Sequence, residues 1–309
     1  MTRGRTFVTS FLASRSGVTS ASTDLRSTSP PAVVVTVGGL LVFLFSAAWL
    51  VATGHSAVRY SADSTETVEM WQRWVPALAG IVVVRLLPRR GRPAVVGPSS
   101  TPAARLETLV LVALALIFAV GLFLIGGGEP AHTIGKLVLL VALPLVLLKS
   151  RRRRGTAWRV TVSGSARWRA VGPAVAVVVW GLLAFASPLA VPGSDFAGTV
   201  SLVELVATIA VVFVVNAVVE EVFYRRWLLS RAQVWLGAWP AIIVSSLLWS
   251  LWHVAIQGTG DLDVDLASAV VTHAPTGVFL GYLWSRYRVM WPLLVAHGAL
   301  NAVGLFLGT

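Results

Sequence analysis

Residues 211–225 read VVFVVNAVVEEVFYR. Nine residues, apolar except for Asn216, run directly into two adjacent carboxylates, Glu220 and Glu221, and Arg225 follows four residues after the second. Together with the apolar residues just upstream, this predicts a span over 200–224, the length a helix needs to cross a bilayer. An ionised carboxylate in hydrocarbon costs several kcal/mol unless it is paired, hydrated or at work. Two such groups at the inner end of one span point to a site rather than to an accident of packing.

The composition around this stretch agrees. The chain has 309 residues, 56% hydrophobic and 12% charged, where a soluble domain sits nearer one quarter charged. A polytopic membrane protein, all-α, is expected. Cysteine is absent, which excludes disulfides, thiolate metal sites, cysteine nucleophiles and a lipoprotein anchor. A net charge of +12 would point to nucleic acid in a soluble chain. Here the cations cluster between apolar runs, so no nucleic-acid partner is expected.

Apolar runs of spanning length are placed near 32–53, 74–88, 106–126, 133–149, 171–191, 200–224, 238–257, 264–284 and 290–307. That gives about nine spans, or eight if the second or fourth, interrupted by Pro76 with Arg85 and by Pro144, is re-entrant. Basic clusters follow alternate spans: Arg89, Arg90 and Arg92; Lys149 and Arg151 to Arg154; Arg225, Arg226 and Arg231; Arg286 and Arg288. The other loops hold Asp63, Glu66, Glu69, Glu129, Asp195, Asp261, Asp263 and Asp265. The positive-inside rule then places the N-terminus in the cytosol and reads these arginines as topology signals. Residues 1–30, rich in Ser, Thr and Arg, are expected to be a disordered cytosolic tail, with the first span acting as an uncleaved signal anchor. Residues 31–155 then form an accessory module of four spans, and 156–309 a catalytic core of five.

The polar residues concentrate in that second half. Side chains four apart on a helix share a face. Glu221 therefore pairs with Arg225, while Glu220, about 100° away, shares its face with Asn216 and Tyr224 and is expected to face a polar cavity. Trp249, His253 and Gln257 form one stripe, and His297 and Asn301 another. A carboxylate and an imidazole near one water can take its proton. An imidazole N–H and an amide can hold an oxyanion. One geometric tension stands out: His253 lies 13 residues beyond Pro240, roughly 20 Å of helix, and His297 only 7 beyond Met290, roughly 10 Å.

Glu220-Glu221-Val-Phe-Tyr-Arg225 resembles the EExxxR motif of the CPBP family, the CAAX-protease and bacteriocin-processing intramembrane proteases. Trp249-Ser-Leu-Trp-His253 resembles its FxxxH motif, with Trp for the usual Phe, and His297-Gly-Ala-Leu-Asn301 its HxxxN motif. The resemblance covers roughly 171–309; Arg226 departs from the glycine often found there. It implies Glu220 as general base with His253, His297 and Asn301 as oxyanion holders, Glu221 and Arg225 as orienting residues, and Trp249 and Tyr224 against the substrate. Glu220, His253 and His297 also resemble a His₂Glu zinc set, which makes zinc the cofactor to consider and a metalloprotease the expected type. The implied activity is cleavage of a membrane-associated or lipidated protein or peptide in the plasma membrane. Two other readings stay open: a catalytically silent scaffold or bacteriocin self-immunity protein, and a proton-coupled transporter using Glu220. His273 matches no motif and is read as packing. Gly258-Thr-Gly-Asp261 resembles an aspartyl-protease motif but is read as a turn.

Overall fold

The computed structural model describes residues 29–62, 64–88, 93–96, 101–153, 159–162, 165–190, 193 and 196–302. Most of the N-terminal tail lies outside the described residues, as do Asp63, Arg89, Arg90, Arg92, Arg154, Asp195 and the end of the ninth span. Nine long helical segments are present among the described residues. They are α1 (Pro30–Ala52), α2 (Met70–Leu86), α3 (Thr101–Leu124), α4 (131–153), α5 (Ala166–Phe185), α6 (202–236), α7 (Ala238–Leu251), α8 (Leu262–Tyr287) and α9 (Trp291–Ala302). Seven of them, all but α2 and α9, are long and apolar enough to cross a membrane, α7 when counted through the short turn Val254–Gln257. The protein is a multi-pass helical bundle.

α1 shows what faces hydrocarbon. Only Ala32, Ser46 and Leu50 are buried along it, and large apolar side chains such as Val34 and Phe45 point outward. A soluble surface would not carry so much exposed apolar area. α8 is the opposite case: 83% of its apolar window is buried, against 11% for α1. α8 is the central rod, and α1, α2 and α7 pack directly on it. Close approach requires glycine at one crossing: a Cβ on Gly80 of α2 would meet the Phe279 ring of α8 at 2.5 Å.

α2, the weakest expected span, is a 17-residue helix that runs through Pro76. A reciprocal cap between Glu69 and Gln72 starts it, directly after a small antiparallel hairpin, β1 (Ala57–Arg59) with β2 (Thr67–Glu69). A second antiparallel pair, β3 (Pro93–Val96) with β4 (Arg159–Val162), ties the segment after α2 to the one before α5. The basic stretch 149–170 is thus partly strand.

The expected end of the sixth span near 224 is corrected. α6 continues without a break to Leu236, because the arginines read as topology signals there have carboxylate partners inside the protein. Arg225 Nη1 donates to Glu221 at 2.8 Å, and Arg231 Nε donates to Glu107 of α3 at 2.7 Å. Arg288 is likewise interior. It takes a left-handed φ of 54° at the end of α8 and donates to Ser230 Oγ and Gln233 Oε1. Burial pulls its guanidinium pKa down to about 9. These arginines are packing partners first, since a buried charge must be paired or hydrogen-bonded.

Candidate active site

The centre lies where α4, α6, α7, α8 and α9 meet. Two features of α6 and α4 shape it. α6 widens into π-helical turns over Phe213–Val218 and Glu221–Leu229, on either side of Glu220, and α4 does the same over Lys136–Ala142. Such bulges in α-helices occur frequently at functional sites.

Glu221 is fully buried, and its Oε1 accepts from Arg225 Nη1 at 2.8 Å and from His297 Nδ1 at 2.7 Å. The expected Glu221–Arg225 pair is therefore formed, and it reaches α9. Arg225 also lies over the Trp249 indole, 4.6 Å from its centroid.

Glu220 departs from expectation. Rather than facing an open polar cavity, it is 1% exposed with both oxygens engaged. Oε1 accepts from Lys136 Nζ at 2.6 Å and Oε2 from Trp249 Nε1 at 2.5 Å. His297 Nε2 stands 3.9 Å from Oε2. Lys136 is itself completely buried; it also donates to Asn216 Oδ1 at 2.6 Å and sits 4.3 Å above the Trp252 ring. Asn216 and Glu220 do share a face, as the spacing predicts.

α7 ends at Leu251 and the chain turns before the short helix Val254–Gln257, which places His253 at the break. The turn resolves the depth tension. His253 and His297 both lie edge-on to the Trp249 indole with centroids 5.4 Å away. His253 Nδ1 is 3.1 Å from the Trp249 carbonyl. A carbonyl only accepts, so Nδ1 carries the proton, and in the neutral ring Nε2 keeps its lone pair.

His273, read from sequence as packing, stacks on His253 at 3.6 Å between centroids and meets Gln257 Oε1 at 2.8 Å. Asn301 follows His297 on α9, and its Nδ2 donor is buried without a partner among the described residues. Tyr224 is fully buried against Phe223, with its hydroxyl unpartnered among the described residues. Trp249 is 2% exposed. Trp249 and Tyr224, expected against the substrate, are both interior, with the indole bonded to Glu220 and lying under Arg225.

Sequence reasoning missed Lys136 and the role of His273. Lys136 left a signal, being the sole lysine or arginine between 106 and 148. An ammonium inside hydrocarbon is costly, and its presence there asks for a partner.

The zinc expectation can be tested on the donors. Both Glu220 oxygens are occupied by Lys136 and Trp249, while His253 and His297 each turn Nδ1 to an oxygen, the orientation that also suits a metal-bound imidazole. Among the described residues no three His, Asp or Glu side chains are grouped as a metal site. With both Glu220 oxygens engaged, this arrangement does not offer the carboxylate of a His₂Glu set, and no step below is routed through a metal ion.

Fold and centre define a multi-pass membrane protein with a buried acid–imidazole site. Residues 202–303, which contain all three motifs, match the family described as Type II CAAX prenyl endopeptidase Rce1-like. The match supports a membrane endopeptidase at the level of that family. No curated relative and no solved structure matches the chain.

Proposed function

We propose that this protein is an intramembrane endopeptidase of the plasma membrane that hydrolyses a peptide bond of a membrane-associated, lipidated protein or peptide near the cytosolic side, with the N-terminus in the cytosol. The observation that carries the reading is the Trp249 indole, which bonds Glu220 and borders both motif histidines. One residue thus gathers groups from three helices at one point.

In the mechanism, a water lies between Glu220 Oε2 and His253 Nε2. Its oxygen attacks the scissile carbonyl carbon while His253 Nε2 accepts the proton. The new oxyanion is held by Nε2–H of a doubly protonated His297, whose Nδ1–H donates to Glu221, and by Asn301 Nδ2–H, a donor with no partner among the described residues. Glu221, fixed by Arg225, orients His297 through Nδ1. Collapse of the intermediate breaks the C–N bond, and the imidazolium returns its proton to the leaving amine. One water is consumed and no redox step occurs.

The test is cleavage of a farnesylated reporter peptide by the full chain in nanodiscs. Glu220→Gln, His253→Ala and His297→Ala should each cut turnover by about 100-fold or more while the helical signal persists. Retained turnover in Glu220→Gln overturns the mechanism. A second reading, a silent scaffold, draws on the engagement of both Glu220 oxygens. It is distinguished by a wild-type protein that cleaves nothing yet binds the same peptide equally well with Glu220→Gln.

A further inference from the structure

The motif helix has no buried cation to spare for Glu220. Of the arginines it buries, Arg225 pairs with Glu221 and Arg231 with Glu107 of α3. The missing charge arrives from α4. Lys136 Nζ is 2.6 Å from Glu220 Oε1, with both side chains essentially unexposed. It lies well outside the stretch 202–303 that matches the family.

Its surroundings are built rather than incidental. Asn216 Oδ1 takes a second N–H, and the Trp252 face takes the cation from one side. His132, one turn back on α4, stacks on the same Trp252 ring at 5.3 Å. The π-helical turns of α4 start at Lys136 itself. Lysine ends normally snorkel to the interface; this one is turned inward.

The geometry also has a direction. With Oε1 held by Lys136, the carboxylate presents Oε2 towards Trp249 and His297. We propose that Lys136 is a positioning residue of the hydrolytic site, contributed by the N-terminal helices: its ammonium balances the second glutamate and turns Glu220 so that Oε2 is the oxygen offered to the reacting water. This rests on the endopeptidase reading for its catalytic part, while the charge pairing stands apart from it.

The experiment uses the full chain with Lys136→Met, Lys136→Arg, Glu220→Gln and the double variant Lys136→Met/Glu220→Gln, followed by thermal unfolding and by kinetics on the farnesylated peptide. Lys136→Met leaves Glu220 buried without its ammonium partner and should unfold about 10 °C lower. The double variant, which is neutral again, should regain most of that loss. In kinetics, Lys136→Met should lose about 100-fold in kcat with KM within about threefold, the pattern of a misaimed reacting group. Lys136→Arg should restore most of the kcat. Losses that simply add in the double variant overturn the pairing, and so does a folded Lys136→Met with undiminished kcat. Should Lys136→Met fail to fold, recovery of the fold in the double variant still decides the pairing. An active Glu220→Gln would instead strike the endopeptidase mechanism and leave the unfolding result standing.

Discussion

Replacing Trp249 by Phe restores the aromatic the family motif usually carries and removes one hydrogen bond. The indole Nε1 donates to Glu220 Oε2 at 2.5 Å inside the buried centre. A hydrogen bond to a charged group contributes about 1.5–3 kcal/mol, and Phe has no donor to replace it. For a chain of this size 1 kcal/mol moves the unfolding midpoint by about 2–4 °C at most, so Trp249→Phe should fall by roughly 3–12 °C, nearer the low end. Phe keeps a ring face for Arg225, whose guanidinium lies 4.6 Å from the indole centroid. Trp249→Leu loses that face as well, worth about 2 kcal/mol for a desolvated cation. The order of midpoints should therefore be wild type, then Phe, then Leu. Far-ultraviolet circular dichroism suits the measurement. With 13 tryptophans intrinsic fluorescence reports too many sites, and with no cysteine a thiol dye reports none. A Phe variant as stable as wild type shows that the indole N–H is not holding Glu220. Equal midpoints for Phe and Leu refute the role of the ring face.

Glu107→Gln breaks the buried pair with Arg231 that joins α3 to α6 and should lower the unfolding midpoint by roughly 10 °C; Glu107→Gln/Arg231→Met should recover most of it, and an additive loss refutes the pairing. At the start of α4, Glu129 accepts from His132 Nδ1 and from the Thr133 amide and hydroxyl. Burial opposes ionisation of Glu129, but these hydrogen bonds outweigh it and hold the carboxyl below its ordinary value. Its contribution is present above the unfolded-state value and fades as pH falls through the lower folded one. Glu129→Gln should therefore be slightly less stable at neutral pH and converge with wild type in acid; the effect is small because the side chain is 61% exposed and screened. Parallel pH curves for the two proteins count against this.

What the sequence revealed follows contact range. The spans are legible because a bilayer demands about 20 apolar residues, and α1, α3, α7 and α8 lie close to where the runs predict them. Glu221 with Arg225 is legible because the partners are four apart. The partner of Glu220 is not, because Lys136 lies 84 residues away and no local period connects them. The stacking of His253 on His273 is hidden for the same reason. The depth of His253 depends on the break after Leu251, and the apolar run through 238–257 gives no sign of it.

The arginines of α6 carry the more general point. Read one at a time, basic residues at the end of a span are topology signals. Read against the acids inside the bundle, they become partners. Glu107, Glu220 and Glu221 are each buried and each meets a cation, Arg231, Lys136 and Arg225 respectively. Since a lone charge in hydrocarbon is far costlier than a paired one, embedded acids and cations should be matched across the whole chain before any is assigned to orientation. Lys136, the sole lysine or arginine between 106 and 148, then stands out as a partner for Glu220 once Arg225 and Arg231 are taken. Two of these three pairs join a helix before residue 155 to α6. The change in composition near that residue marks where polar side chains become frequent, and the electrostatics of the centre extend across it.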